Sequence, residues 1–459
     1  MAVVSVYPNY RQPKMRWLPA VPEHWNEQRA KTFFREVDER SKTGQEELLS
    51  VSHLTGVTSR SQKNVTMFKA ASYVGSKLCR PGDIVINTLW AWMAALGASR
   101  HVGIVSPAYG VYRPHHADSF NPAYLDYLLR TRAYVAEYIG RSTGIRSSRL
   151  RLYPNQFLDI ALIQPPRPEQ DQIVAYLRVQ DAHIARFIKV KCDLIKLLTE
   201  QKRRIIDHAV TRGLDASVAL KPSGIEWLGD VPVHWELRRL KFLASNTTSQ
   251  TTTKARDEIY LAMEHVQSWT GVARPLEGEV EFASTVKRFV VDDVLFGKLR
   301  PYLAKVTRAK CNGVCVSEFL VLRSRKEFIL PAYLEQMLRC KRVIDLINSS
   351  TAGAKMPRAD WTFIGNVRLP VPYKDEQEAI LSHIESETKD LGEAITRTEE
   401  EITLIREYRD RLITDVVTGQ VDVRGWQPGP EYVVDDAVLV ALGDDQEEMT
   451  EQENDDGED

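Results

Sequence analysis

Basic and aromatic side chains are concentrated in residues 297–303, Gly-Lys-Leu-Arg-Pro-Tyr-Leu. An arginine can donate two hydrogen bonds to one guanine, and lysine and tyrosine are suited to phosphate oxygens. The segment follows a predicted strand, and a proline stiffens the turn after Arg300. It therefore predicts a nucleic-acid contact through Lys298, Arg300 and Tyr302, with a solvated basic turn as the alternative.

Two further loops carry basic residues next to glycine. The sequence Ala-Lys-Met-Pro-Arg at 354–358 follows Gly353, so Lys355 and Arg358 are candidate contacts. In the first half of the chain the matching segment, 144–149, contains Arg146 and Arg149.

Tryptophans stand in the first half where basic residues stand in the second. The segment 87–92, Asn-Thr-Leu-Trp-Ala-Trp, corresponds to the loop of Arg300, and Trp90 and Trp92 either bury in the core or frame a groove surface. Upstream, residues 59–64 offer amide and basic groups that suit base edges, and a solvent-facing turn is equally compatible. The candidates in that segment are Arg60, Lys63 and Asn64.

These candidates belong to two copies of one unit. The sequence Trp-Leu-Pro-Ala-Val-Pro-Glu-His-Trp at 17–25 recurs as Trp-Leu-Gly-Asp-Val-Pro-Val-His-Trp at 227–235, with six of nine positions identical. Further matches follow in the same order, and the offset drifts only from 210 to 207. They are Pro-Ala-Tyr-Leu at 122 and 331, Ser-Thr at 142 and 350, Glu-Gln at 169 and 376, and Val-Thr at 210 and 417. Residues 40–110 and 250–320 show little identity, so one scaffold carries two different surfaces.

A long helix is predicted to close each unit. Apolar residues recur in steps of four and three, which is typical of a coiled coil, and long core helices without a spacer role are the alternative. In the first helix the apolar positions are Ile173, Leu177, Ile184, Phe187, Leu194, Leu198 and Ile205, with Gln180, Lys191 and Gln201 as the polar exceptions. The positions in the second are Ile380, Ile384, Leu391, Ala394, Glu401, Ile405 and Leu412, with Glu401 as the polar exception.

The segment before each helix is predicted to be mixed α/β, with strands at 84–86 and 294–296 after a turn and short helices at 123–129 and 332–338. The recurring Trp17, Trp25, Trp227 and Trp235 are interpreted as packing anchors, with base stacking as the alternative, because repetition in both copies marks the shared scaffold.

The net charge of −1 conceals an uneven distribution. Residues 431–459 contain 13 acidic residues and no Lys or Arg, which leaves 61 basic against 49 acidic residues in 1–430, a net of +12. A basic body suits a nucleic-acid partner. The acidic tail is predicted to be disordered, either as a solubilising segment or as a shield of the basic body.

Several kinds of protein are disfavoured by what the sequence lacks. We find no phosphate-binding Gly-rich loop, no Asn/Asp-Pro-Pro-aromatic methyltransferase motif and no Gly-x-Ser-x-Gly elbow. No metal site is expected, because Cys311 and Cys315 have no second pair of ligands and His115-His116 is a lone pair. No secretory signal and no apolar run of about 18 residues is found, so we expect a cytoplasmic protein without a membrane partner. The odd number of five cysteines agrees with a reducing compartment.

The order of these motifs resembles the specificity subunits of type I restriction-modification enzymes. The resemblance rests on the paired Trp-Leu-x-x-Val-Pro-x-His-Trp starts, the Gly-Asp or Asp-Asp strand openings, residues 297–303, Pro372-x-x-x-Glu376-Gln377 and the two closing helices. It covers about residues 17–425. Stand-alone methyltransferases or nucleases, and coiled-coil interaction proteins without a DNA role, are the alternatives.

The resemblance implies a non-catalytic DNA-binding subunit that reads a two-part target in double-stranded DNA. It implies two α/β target-recognition domains and two helices packed as an antiparallel coiled coil. It also implies two methylation subunits, which carry S-adenosylmethionine, and restriction subunits that use ATP and Mg to cut DNA, so no cofactor is expected in this chain. The predicted parts are recognition domain 1 (17–167), spacer helix 1 (168–213), recognition domain 2 (227–374), spacer helix 2 (375–419) and the acidic disordered tail (431–459).

Overall fold

The computed structural model describes residues 5–53, 55–62, 72–144, 150–275, 284–353 and 356–427. The chain divides into two compact units, each of which we describe separately. The first comprises residues up to 191 together with a segment that begins at 400, and the second comprises 192–399. Each unit therefore contains a globular part and one portion of each long helix.

Short strands and short helices make up the globular part of the first unit, and a long helix follows them. In chain order they are β1 (Tyr10–Arg11), β2 (Val21–Pro22), β3 (Asn26–Arg29), α1 (Ala30–Phe33), β4 (Phe34–Glu36), β5 (Leu49–Ser52), β6 (Gly56–Ser59), β7 (Lys77–Cys79), β8 (Ile84–Ile86), β9 (Leu96–Ala98), β10 (Gly103–Val105), β11 (Gly110–Pro114), α2 (Pro122–Leu129), α3 (Arg132–Arg141), α4 (Pro154–Leu158), β12 (Ala161–Gln164) and α5 (Arg167–Arg212).

The second unit repeats this order with local differences. Its elements are β13 (Leu220–Pro222), β14 (Asp230–Pro232), β15 (Glu236–Arg239), α6 (Leu240–Leu243), β16 (Ala244–Thr247), β17 (Gln250–Thr251), β18 (Ile259–Leu261), β19 (Val286–Phe289), β20 (Val294–Gly297), β21 (Val306–Arg308), β22 (Gly313–Cys315), β23 (Phe319–Ser324), α7 (Pro331–Arg339), α8 (Lys341–Ser349), α9 (Trp361–Ile364), β24 (Arg368–Val371) and α10 (Lys374–Val417).

Equivalent antiparallel sheets support the two globular parts. Strands β4, β11, β8 and β9 pair in that order in the first unit, and β16, β23, β20 and β21 pair in the same way in the second. The strands next to the variable loops, β8 and β20, are buried along their length, as a central strand packed on both faces must be. Outside these sheets a parallel contact recurs with a different extent: it is a single bridge between Leu48 and Ile104 in the first unit and the strand pair β18–β22 in the second.

The helices α5 and α10 pack together, and the contacts of the first unit show that they run antiparallel. Asp181 bonds to Arg409 and Lys191 to Glu401, so positions advance along one helix as they retreat along the other. Buried side chains on the first part of α5 follow heptad spacing, with Leu177, Ile184 and Ile188 among them. The predicted fold class, two α/β domains with two paired long helices, is confirmed.

Two residues of the predicted apolar stripe of α5 lie on the outside. Phe187 is 51% exposed and Leu194 is 39% exposed, whereas Ile188 is buried. Steps of four and three from Ile184 lead to Ile188 and Lys191, and the ammonium group of Lys191 lies 2.6 Å from the Glu401 carboxylate of α10. The prediction was wrong at Phe187 and Leu194, because the apolar residue that follows each of them, buried Ile188 and half-buried Ile195, is less exposed.

The short elements were predicted closely. Strands β8 and β20 follow their turns, and α2 and α7 occupy the predicted short helices. The segment 314–322 forms two strands, β22 and β23, separated by a turn. The predicted acidic tail at 431–459 lies outside the described residues. Within the described ranges, none of the helices combines the length and apolar character needed to cross a membrane.

Candidate nucleic-acid interface

A glutamate at the start of each long helix binds the repeated His-Trp pair. Glu169 accepts a hydrogen bond from the indole Nε1 of Trp25 at 2.9 Å, and its other oxygen lies 2.9 Å from Nε2 of His24. In the second unit Glu376 accepts from Trp235 Nε1 at 3.0 Å and lies 2.8 Å from His234 Nε2. Two motifs that are far apart in sequence are therefore the two sides of one contact.

The tryptophan side of each of these contacts is withdrawn from water. Trp25 and Trp235 are buried, which agrees with their interpretation as packing anchors, whereas Trp17 is 49% exposed under the guanidinium of Arg16. Tyr7 also donates its hydroxyl to Glu169. Burial raises the pKa of Tyr7, and the bond to the glutamate raises it further, so the phenol remains a donor.

The glutamine that follows each glutamate ties the helix to the globular part through backbone groups. The side-chain oxygen of Gln170 accepts from Asn121 N at 2.7 Å, and its amide donates to the Pro165 carbonyl at 2.8 Å. Gln377 accepts from Leu330 N at 2.8 Å and donates to the Pro372 carbonyl at 3.0 Å. Only a side chain with both a donor and an acceptor can make this pair of bonds.

The C-terminal end of the other long helix lies next to each of these contacts. The Tyr124 hydroxyl donates to the Val417 carbonyl in the last turn of α10, and the Tyr333 hydroxyl donates to the Val210 carbonyl in the last turn of α5. These bonds satisfy carbonyls that a helix end leaves without an internal partner. We call each of these sites, where one long helix begins and the other ends, a helix junction.

A glycine closes each helix junction. Gly213 and Gly419 have positive φ angles, +75° and +79°, as expected for the residue after a helix end. A Cβ atom on Gly419 would lie 2.3 Å from Cδ of Pro22, and one on Gly213 would lie 3.2 Å from the Trp235 ring.

Replacing Gly419 by alanine is expected to lower the free energy of unfolding by about 2–4 kcal/mol, because a left-handed backbone and an overpacked contact are both penalised. Gly229→Ala is the matched control, since Gly229 has a φ of +69° and open space around its Cβ position. The control is expected to cost about 1 kcal/mol. Urea unfolding of both variants measures the difference, and equal losses would contradict the role of the close approach to Pro22.

Buried aspartates fix the strands that carry the candidate loops. Asp83, before β8, binds Arg113 through Nε at 3.1 Å and Nη2 at 2.9 Å. Asp293, before β20, binds Arg323 in the same way at 2.9 and 2.8 Å, and this bond raises the pKa of Arg323. The repeated Gly-Asp and Asp-Asp strand openings therefore have a common structural reason.

In the second unit the structure brings two of the predicted loops together. Arg300 N donates to the Pro357 carbonyl at 2.8 Å, and Ala359 N donates to the Lys298 carbonyl at 2.9 Å. The guanidinium of Arg358 lies 3.2 Å from the Glu318 carboxylate. Lys298, Arg300 and Arg358 thus share one surface of the second unit.

The turn at Arg300 exposes Tyr302 and leaves Arg300 half-buried. Arg300 has a left-handed backbone, with φ of +49°, and the turn Pro301–Leu303 that follows buries Pro301 and leaves Tyr302 45% exposed. Lys355 lies outside the described residues.

The first unit has the same turn with different side chains. Leu152 N donates to the Thr88 carbonyl at 3.0 Å, as Ala359 does to Lys298, and Ala94 has the positive φ found at Ala304. Trp90 is 51% exposed, whereas Trp92 is half-buried and donates its indole N–H to the Leu89 carbonyl at 3.0 Å. Of the two interpretations, Trp90 therefore fits the exposed surface and Trp92 mainly supports the turn.

The remaining predicted residues are separate or outside the described ranges. Arg60 follows the β5–β6 hairpin, half-buried in a short turn where its N–H donates to the Leu48 carbonyl at 2.9 Å. Lys63, Asn64, Arg146 and Arg149 lie outside the described residues. Within the described ranges, no group of three or more His, Cys, Asp or Glu side chains could hold a metal ion.

Sequence reasoning missed Arg151. It forms a backbone bridge with Thr143, as Arg358 does with Ala352, and its side chain is exposed next to the Thr88 turn. The sequence repeat could have indicated Arg151, because an offset of 207 residues makes it equivalent to Arg358.

The comparisons with known proteins concern the fold and the family resemblance. The chain is 24% identical over 161 residues to the specificity subunit of the type I restriction enzyme EcoDI of Escherichia coli, covering 34% of this chain and 36% of that protein. A chain from a solved structure of a type I R-M system superimposes with a TM-score of 0.58 at 14% identity, covering 86% of this chain and 98% of that one. The resemblance to type I specificity subunits is confirmed.

The extent of these matches differs. The sequence match spans about a third of the curated relative's length, whereas the structural match shows that the fold is shared over most of the chain. The HsdS subunit from Thermoanaerobacter tengcongensis has a TM-score of 0.41 at 14% identity, covering 87% of this chain and 98% of that one. No family model matches the chain.

Proposed function

We propose that the chain is the DNA-specificity subunit of a type I restriction-modification complex and that it reads a two-part target in double-stranded DNA without catalysing a reaction. Residues 17–167 and 227–374 are the two recognition domains in this proposal. Two methylation subunits bind S-adenosylmethionine, and restriction subunits use ATP and Mg, so the chain itself needs no cofactor.

The observation that carries the proposal is the same turn with different side chains in the two units. Backbone bonds from Leu152 to Thr88 and from Ala359 to Lys298 hold the two turns alike. The side chains that reach solvent are nevertheless the exposed Trp90 in one unit and the half-buried Arg300 with the exposed Tyr302 in the other. A conserved support with divergent exposed groups is what two readers of different half-sites need.

Charge supports the same conclusion. Residues 1–430 carry a net charge of +12, which favours association with a polyanion. An exposed tryptophan can contact a thymine methyl group, whereas an arginine can pair with a guanine, so the two turns are suited to different bases.

The test changes one turn at a time within the complete system. Arg300→Ala is expected to weaken or relax recognition of one half-site by about 1–3 kcal/mol, and Trp90→Ala is expected to affect the other half-site. Methylome sequencing of DNA from cells that express all subunits gives the readout. Arg411→Ala, in the last turns of α10 with an 84% exposed side chain, is the matched control and should leave both half-sites unchanged.

Two outcomes would contradict the proposal. If Arg300→Ala and Trp90→Ala altered the same half-site, one domain would not read one half. If the assembled complex bound DNA without dependence on salt or sequence, the chain would have no reading role.

A further inference from the structure

The first unit contains a polar cleft between the start of α3 and the last turns of α10. Its lining includes Arg130, Thr131, Arg132, Arg409, Asp410 and Thr414. Three of these six side chains are arginines, and the cleft also adjoins the first turn of a ten-residue helix. Backbone N–H groups and the helix dipole favour negative charge at such a place.

Neighbouring carboxylates hold two of the arginines of the cleft in place. Arg130 pairs with Asp126 at 3.2 Å, and Arg409 pairs with the buried Asp181 at 2.7 Å. Arg132 is exposed on the wall. The acidic member of the lining is Asp410, which is 61% exposed and lies 4.0 Å from Arg409.

The second unit shows what occupies the equivalent place. In the repeat, Asp207 of α5 in the second unit is equivalent to Thr414 of α10 in the first unit. Likewise, Lys341 is equivalent to Arg132. The Asp207 carboxylate accepts a hydrogen bond from the Lys341 N–H at 3.1 Å and so caps the start of α8. In that unit the loop of Trp269 closes over this region, with the ring 4.2 Å from the Arg203 guanidinium and Arg339 donating to the Thr270 carbonyl.

The first unit has no such carboxylate at this position. The Thr131 hydroxyl donates to the Leu128 carbonyl at 2.8 Å, and the Thr414 hydroxyl donates to the Asp410 carbonyl at 2.9 Å, so neither caps α3. We propose that this cleft binds a phosphate-type oxyanion in the place that the Asp207 carboxylate takes in the second unit.

The oxyanion has two possible sources, a DNA backbone phosphate or free phosphate. Only the DNA source rests on the proposed function, because free phosphate binding can be measured on the chain alone. A DNA phosphate would make this cleft a backbone clamp of the first unit, whereas free phosphate would act as a stabilising ligand.

The decisive variant is Thr414→Asp, which gives the first unit the carboxylate of the second. Its matched control is Thr414→Asn, which has a similar shape and no charge. Two measurements on the full chain distinguish the sources: the thermal midpoint with inorganic phosphate against chloride at equal ionic strength, and the salt dependence of binding to a random-sequence DNA duplex.

A free-phosphate site predicts that phosphate raises the midpoint of the wild type and of Thr414→Asn but not that of Thr414→Asp. A DNA-phosphate site predicts that Thr414→Asp reduces the slope of log K against log salt by about 0.9, the value for one phosphate contact, and that Thr414→Asn does not. Arg132→Ala removes an exposed cation, so it should show the same loss of phosphate stabilisation or of salt dependence as Thr414→Asp. It replaces Thr414→Asp in the test if that variant does not fold. The proposal is overturned if the wild type, Thr414→Asp and Arg132→Ala give the same result in both measurements. It is also overturned if Thr414→Asn behaves as Thr414→Asp does.

Discussion

Replacing Asp181 by alanine is expected to lower the free energy of unfolding of the first unit by about 3–5 kcal/mol, the usual cost of removing one partner of a buried ion pair. Asp181 is 4% exposed and accepts hydrogen bonds from Arg409 Nε and from the Tyr127 hydroxyl, both at 2.7 Å. Its removal leaves the guanidinium of Arg409 without its carboxylate and the phenol of Tyr127 without an acceptor. Urea unfolding followed by circular dichroism measures the loss.

The pair Lys191–Glu401 is the matched control on the same two helices. Glu401 is 42% exposed, so Glu401→Ala is expected to cost only about 0–1 kcal/mol. A double variant, Asp181→Leu with Arg409→Leu, should recover much of the loss, because no unpaired charge then remains. Equal losses for Asp181→Ala and Glu401→Ala would contradict the importance of burial.

Lengthening both long helices by one heptad is expected to lengthen the gap in the DNA target by about three base pairs. Seven residues keep the heptad phase, and the natural positions are after Ile188, which is buried, and after its equivalent Ile395. At about 1.5 Å per residue the insertion adds roughly 10 Å, while DNA rises about 3.4 Å per base pair. We propose that the paired helices set the separation of the recognition domains, and this prediction tests that proposal.

The half-sites themselves should not change, because the insertion leaves every candidate recognition residue in place. Three base pairs also rotate one half-site by roughly 100°, at about 10.5 base pairs per turn, so weaker binding is expected together with the new spacing. Methylome sequencing reads the spacing directly. A variant that assembles and methylates only the original spacing would rule out the helices as a ruler.

The repeat made most of the fold predictable. Because the motifs recur in order, the sequence predicted two α/β parts, the strands before Asn87 and Lys298 and the two long helices. Which stripe of α5 faces α10 was not predictable in full, since a step of three from Ile184 leads to Phe187 and a step of four leads to Ile188, and both residues are apolar. Only the partner helix decides between two such stripes.

The candidate site shows a similar limit. The sequence indicated the loops of Arg300 and Arg358 separately, but their association depends on backbone bonds such as that between Ala359 and Lys298. Likewise, Trp25 and Glu169 each recur in the sequence, and no local pattern indicates that they bind one another across 144 residues. Contacts of this kind depend on the path of the whole chain.

The helix junctions have a consequence for the order in which the protein is completed during synthesis. The bond from Tyr124 to the Val417 carbonyl spans 293 residues, whereas that from Tyr333 to Val210 spans 123 in the opposite direction. At about 5–20 residues per second, the ribosome needs roughly 15–60 s to reach Val417 after it has made Tyr124. During that time the first junction, which contains Trp25, lacks the end of α10. In the second junction, by contrast, Val210 has been synthesised before Tyr333. The half of the protein that leaves the ribosome first is therefore the half that closes last.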